Sequence, residues 1–316
     1  MPQHLLITGA NGFIGRHVVR AALARPETRI RLVRHHGAVT APDGDRVRVT
    51  RADLGDTASL DGLCRGVDTV VHCASRISGD EAALRAVNEE GTAALVADAL
   101  RHGVRRIVYV STAAVYGRGP FRGAEPHELP VRPRSATSTT RAAAERSVLA
   151  AGGTVLRPHL VYGTGDRWAI PGLALLIRHL GAPVADSGVH SAVEVSALAE
   201  AAVGAALADP DRDLAGAHHV NHPSPVSGGV LTEAVAGLLG ADGAAAPLDP
   251  EQARARLQEH PQALHHLDML TSDHWFASTS IWRLLGLDPG PEPARGLARH
   301  LPWYRAQLGS PMYAGR

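Results

Sequence analysis

The chain has 316 residues, a net charge of +1 with histidine neutral, and 45% hydrophobic residues, enough for one large α/β unit or a nucleotide-binding unit with a smaller companion. A charge this close to zero argues against recruitment by nucleic acid or an anionic membrane. Two cysteines, Cys64 and Cys73, argue against a disulfide framework or a cysteine-rich metal centre.

No segment approaches the ~20 apolar residues of a membrane span. The first strand begins without the pattern of a signal peptide, so a reduced, cytoplasmic setting is expected. All 32 basic residues are arginine. The histidine pairs His35-His36, His218-His219 and His265-His266 lack metal-ligand spacing. They are expected at the surface or in loops, and no metal site is expected.

In chain order, the apolar run Leu5-Leu6-Ile7 ends at Thr8 and Gly9, with further glycines at Gly12 and Gly15. A helical pattern then opens at Phe13, with Ile14, Val18, Val19, Ala22 and Leu23 on one face. A strand passing through a glycine turn into a helix suits a dinucleotide diphosphate. Bare backbone N–H groups and the positive helix end attract the anion, and a Cβ would hold it off.

Arg29 to Val33 reads as a second strand, followed by Arg34 rather than the Asp or Glu that holds an NAD ribose. A guanidinium there welcomes a 2′-phosphate and predicts NADPH; if Arg34 turns to solvent, NADH serves as well. Val47 to Thr50, Thr69 to His72, Arg106 to Ser111 and Thr154 to Arg157 read as further strands, with a helix over Glu81 to His102. The alternation predicts an α/β fold, a Rossmann-type doubly wound parallel sheet. From about Arg157 onward the pattern loosens into helices and Pro/Gly-rich loops. The expected division is a dinucleotide unit over 1–156, with 189–222 packing back on it. A smaller, mainly helical substrate unit would comprise 157–188 and 223–316. Ala244 to Pro250 is a candidate linker or lid base. Leu264 to Phe276 suits either an apolar pocket for a flat ligand or the smaller unit's own core.

The segments TGANGFIG, STAAVYG from Ser111 and LRPHLVYGTG from Leu156 resemble the short-chain dehydrogenase/reductase superfamily, in particular its extended, epimerase- and dehydratase-like branch. Further likeness at Val193 to Ala201 and around Trp282 and Trp303 extends it through nearly the whole chain. The resemblance implies that Gly9, Gly12, Phe13, Ile14 and Gly15 form the cofactor loop, that Asp53-Leu54 meets the adenine, and that Cys73-Ala74-Ser75 passes the ribose and diphosphate. It also places Pro158 beside the nicotinamide and makes Asn88 a structural brace. Relatives of this kind pair through helices equivalent to 81–102 and 137–150, which makes a homodimer an open expectation.

The superfamily's tyrosine, with a lysine four residues later, is missing. Thr112 fills the Ser/Thr position, and counting on by the family's spacing places Thr137 where the tyrosine belongs and Arg141 where the lysine belongs. A threonine hydroxyl is a far weaker acid than a phenol of pKa ~10. Arg141 still suits the nicotinamide ribose. His159 is a candidate relocated acid, whereas Tyr116 and Tyr162 are expected to be structural.

A substrate that carries a phenol beside its ketone can polarise the carbonyl and deliver the proton itself. The expectation is therefore an NADPH-dependent ketoreductase of an aromatic polyketide, resembling the simocyclinone-type angucyclinone ketoreductases. A nucleotide-sugar enzyme with a relocated acid and a non-catalytic NADP(H)-sensing regulator remain the alternatives.

Overall fold

The computed structural model describes residues 3–35, 45–185, 187–240 and 246–309. Seven strands form the main sheet: β1 (Gln3–Thr8), β2 (Thr28–Arg34), β3 (Val47–Arg51), β4 (Thr69–His72), β5 (Arg106–Val110), β6 (Thr154–Arg157) and β7 (Gly216–His219). They lie in the order β7-β6-β5-β4-β1-β2-β3, and every pairing is parallel. The order reverses at β1, which leaves a crevice beyond the carboxyl ends of β1 and β4, the switch point of a doubly wound sheet.

Parallel strands covered on both faces need continuous apolar runs. Leu5, Leu6 and Ile7 accordingly have no exposed surface. Leu5 and Ile7 face helices α1 (Phe13–Leu23) and Val195–Leu207, whereas Leu6 packs with Val96 and Val148 of the helices on the other face. A second apolar core joins Ala169–Leu180, Gly228–Leu238, Pro261–Leu270 and Pro293–Leu308. Phe121–Ala124, Val189–His190, Val226–Ser227 and His274–Phe276 form a small sheet. Of the expected linker Ala244 to Pro250, residues 244–245 lie outside the described residues, but Leu248 bridges to Val184 and its carbonyl accepts the Ala185 amide.

Two expectations need correction. The helix expected over Glu81 to His102 is interrupted: Glu81–Leu84 passes through a π-helical stretch, Arg85–Glu90, before Gly91–Arg101. The widened turn carries Asn88, whose Oδ1 accepts from Arg76 N at 2.7 Å and Ser75 Oγ at 3.2 Å. Its Nδ2 donates to Arg76 O and to Thr140 Oγ1. Asn88 thus ties the loop after β4 to the helix Ala136–Ala150.

The histidine pairs are not mainly surface residues. His219 is buried and bonded to the Tyr116 hydroxyl at 2.7 Å, and His266 lines a cavity, because strand and helix geometry turn adjacent residues in different directions. His35 is exposed and His36 lies outside the described residues.

A buried hydrogen-bond chain joins β1, β4 and the Gly91–Arg101 helix. Thr8 Oγ1 accepts the Ala74 amide at 3.2 Å and lies 2.6 Å from His72 Nδ1, and His72 Nε2 lies 2.9 Å from Thr92 Oγ1. Each threonine hydroxyl can donate or accept, so the neutral ring bonds both, through one N–H and one bare nitrogen. Burial lowers the His72 pKa to about 3 from 6.5, with Arg141 adding to the shift. Because the folded value lies below the unfolded one, this contribution to stability is fully present above pH 6.5 and is lost as pH falls toward 3. His190 and His219, lowered to about 4 by burial, act in the same direction. The urea midpoint should accordingly be lower at pH 5 than at pH 7.5, and His72→Asn should reduce that difference.

Candidate active site

Two cavities flank the N-terminus of α1. The first, about 410 Å³, follows the crevice at the switch point and is lined by Gly9, Gly12, Arg34, Asp53, Leu54 and Cys73-Ala74-Ser75, among others. Gly9 has φ of +70°, and a Cβ there would lie 2.7 Å from Ala74 N. A Cβ on Gly15 would lie 1.9 Å from Gly9 O, so the turn closes only with glycine. Gly12 caps α1 without a side chain, and its first turn holds no acidic residue. The turn thus presents uncapped amides and the positive helix end to the cleft, a fit for a diphosphate.

Around the cleft, Asp53 Oδ1 accepts from Gly55 N at 2.8 Å and Oδ2 lies 2.8 Å from His35 Nε2, an exposed pair. Arg34 lines the cleft, and its buried Nε has no hydrogen-bond partner among the described residues. Burial pushes the Cys73 thiol up to about 12, against a smaller opposing effect of Arg141, so it stays protonated.

The second cavity, about 340 Å³, begins at Phe13 and Ile14 and runs between Leu160, Leu173, Leu231 and Leu270, with Trp168 and Met269 also in its wall. Its polar side chains are Asp166, His159, His190 and His266. Both Asp166 oxygens are taken, Oδ1 by the amides of Trp168 and Ala169, Oδ2 by the Ile170 amide and the Tyr304 hydroxyl. Burial lowers the pKa of all three histidines; His190 and His274 add to the shift of His159, which falls well below 6.5. All three are neutral at pH 7, and no arginine lines this cavity among the described residues.

The other expected site residues line neither cavity. Thr112 caps the short 3₁₀ turn Ala113–Tyr116, accepting the Ala114 amide at 3.2 Å, and the Ala113 amide bonds Pro158 O at 2.8 Å. Thr137 Oγ1 donates to Ile77 O at 3.2 Å. Arg141 donates to Val110 O at 2.7 Å and from Nε toward the Tyr109 hydroxyl. Sequence reasoning missed His190 and His274, whose rings lie parallel to that of His159. No local pattern marks them, since their partners come from distant strands.

The model of the NAD dependent epimerase/dehydratase family matches residues 5–183. The chain belongs to this family. The family is described as NAD dependent.

Among similar proteins, 2-alkyl-3-oxoalkanoate reductase of Stenotrophomonas maltophilia is 28% identical over 93% of this chain and 97% of its own length. A 4-hydroxy-2-methyl-3-oxo-4-farnesyl-3,4-dihydroquinoline-1-oxide ketoreductase of Stigmatella aurantiaca is 32% identical over 54% of each chain. The chain likewise spans about half the length of several other curated relatives, sugar-nucleotide epimerases and dehydratases among them. In fold it is similar to the Bordetella bronchiseptica enzyme WbmH in complex with NAD+, with a TM-score of 0.75 and 20% identity over 96% of this chain and 98% of that one.

This family member keeps no tyrosine at its cavities among the described residues. The Tyr109 hydroxyl faces Arg141, Tyr116 bonds His219 and Arg157, and Tyr304 bonds the Gly163 amide. Tyr162 is buried, and burial raises the pKa of all four, opposite to what a tyrosine acid needs.

A test of the first cleft is Gly12→Val. The Cβ alone would stand 3.1 Å from Gly9 O, and the branched side chain would occupy the cradle. Nicotinamide cofactor binding by calorimetry should weaken at least about a hundredfold with unchanged far-ultraviolet circular dichroism.

Proposed function

We propose that this protein is an NADPH-dependent ketoreductase acting on an apolar, ring-bearing ketone, such as one on an aromatic polyketide of angucyclinone type. One observation carries the reading: the cavity that adjoins the cofactor cleft at Phe13 and Ile14 is apolar, with neutral imidazoles and no cationic side chain among the described residues. A sugar nucleotide brings a diphosphate that calls for arginine or lysine. A flat ketone calls for apolar walls and a few polar atoms. The two reductases among the relatives, one of them named for an oxo-dihydroquinoline, support the same reading. In this reading 1–156 with 189–222 hold the cofactor, and 157–188 with 223–316 hold the ketone.

When bound, the nicotinamide supplies hydride. The chain's own residues hold and orient: the glycine turn takes the diphosphate, the Arg34 guanidinium in the cleft wall faces a 2′-phosphate, and the apolar walls exclude water. With every described tyrosine buried and none lining either cavity, the proton comes from a phenol beside the ketone. The carbonyl carbon gains hydride, its oxygen gains the phenolic proton, and water restores the phenol. Thr137, bonded to Ile77 O, takes no part.

NADPH oxidation should be measured against hydroxylated quinones and tetralones with and without a hydroxyl peri to the ketone. The peri-hydroxy compounds should turn over at least about tenfold faster, and Thr137→Ala should keep most of the activity. Turnover of sugar nucleotides, or activity lost in Thr137→Ala with binding intact, would overturn the reading. Arg34→Ala should raise the Kd for NADPH about tenfold to a hundredfold, the range of a charge-assisted hydrogen bond, while leaving that for NADH nearly unchanged.

A further inference from the structure

Of the second cavity's polar side chains, Asp166 and His190 already bond other groups, whereas the ring nitrogens of His159 and His266 bond no protein atom among the described residues, and of these two only the His159 ring lies parallel to two other rings. Asp166 is consumed by three amides and a tyrosine hydroxyl. His190 uses Nε2 on the Leu270 carbonyl at 2.9 Å. His159 is held through its backbone, which donates to Asn221 Oδ1 at 2.8 Å, but neither ring nitrogen has a protein partner among the described residues.

That ring is nevertheless fixed. It lies 5.9 Å from the His190 ring at 14° and 5.5 Å from the His274 ring at 9°, with the edge of Phe276 at 5.7 Å. The stack is anchored behind it. His274 Nδ1 is 2.9 Å from Ser272 O and its Nε2 accepts the Gly119 amide at 3.3 Å. His274 can therefore neither flip nor pass a proton, and it serves as a platform. His159 is half-buried, so its ring nitrogens stay open to the cavity, where a ligand atom can replace water.

We propose that His159 is the group of this cavity that binds the substrate's ketone oxygen, donating a ring N–H from an orientation set by His190 and His274. The assignment rests on the reading of the cavity as the ketone site. A neutral imidazole offers one donor and one acceptor, which suits a ketone oxygen and leaves no charge to attract an anion. His190 and His274 are positioning residues, and Phe276 closes the edge.

The test is equilibrium binding, by calorimetry, to the chain loaded with oxidised NADP, so that no hydride is available. The probes are a tetralone with a peri hydroxyl and tetralin, which has the same ring system without oxygen. His159→Phe, which keeps a flat ring in the stack, should weaken the tetralone about tenfold and leave tetralin unchanged or tighter. His159→Gln, which restores an N–H, should bind the tetralone within about threefold of the wild type. Equal loss for both probes, no loss for the tetralone, or a wild type that binds neither would overturn the assignment. A wild type that binds the tetralone through His159 yet oxidises no NADPH with any carbonyl would remove the reductase reading and leave this one standing.

Discussion

A Cβ on Gly15 would stand 1.9 Å from the Gly9 carbonyl oxygen, and one on Gly9 would stand 2.7 Å from the Ala74 amide. The backbone between β1 and α1 is therefore packed against itself and against the end of β4 at distances that only hydrogen atoms fit. That approach leaves the first turn of α1 uncapped and faces it into the crevice where the strand order reverses. The Thr8–His72–Thr92 chain holds β1, β4 and the next helix together just beneath the turn. Asn88 holds the loop beyond β4 from the π-helical stretch.

Desolvation then sets the chemistry of everything around the cleft. Imidazoles at His72, His159, His190 and His219 are pushed toward their neutral form by burial, and the Cys73 thiol is pushed the opposite way on the pKa scale for the same reason. The four described tyrosines are raised as well. A phenol is useful as an acid when a cation and the cofactor lower its pKa. Here half-buried Arg141 faces Tyr109 and buried Arg157 faces Tyr116, and neither arginine lines either cavity. The wall beside the first cleft is consequently apolar, with neutral imidazoles and one carboxyl, Asp166, already bonded to three amides and a hydroxyl, and it suits ligands that bring few charges of their own.

Much of the first cleft's lining was legible in the sequence because its residues lie in short contiguous segments. Gly9 to Gly15, Asp53-Leu54 and Cys73-Ala74-Ser75 each follow a strand end, and a parallel sheet brings consecutive strand ends to one edge. The second cavity was harder to read. Leu264 to Phe276 stood out for its aromatic and methionine content, but that content fitted a core equally well. His190 and His274 carry no periodic or spacing signal, and their significance lies in ring planes that meet only in three dimensions. The expected continuous helix over Glu81 to His102 failed for a related reason: apolar spacing does not register one extra residue in a turn whose purpose is to aim Asn88.

The sequence by itself determined the doubly wound sheet, the glycine turn and the loss of the Tyr-Lys pair. Those features depend on local residue types and on the spacing of segments along the chain. Only the tertiary structure decided which side chains share a cavity and which are spent elsewhere. Thr137 is turned to the Ile77 carbonyl, Tyr116 is locked to His219, and His159 is left open to the apolar pocket. The physical reason is that hydrogen bonding and burial are settled by neighbours distant in sequence, and the same residue type becomes brace, platform or ligand according to which of its polar atoms those neighbours have already used.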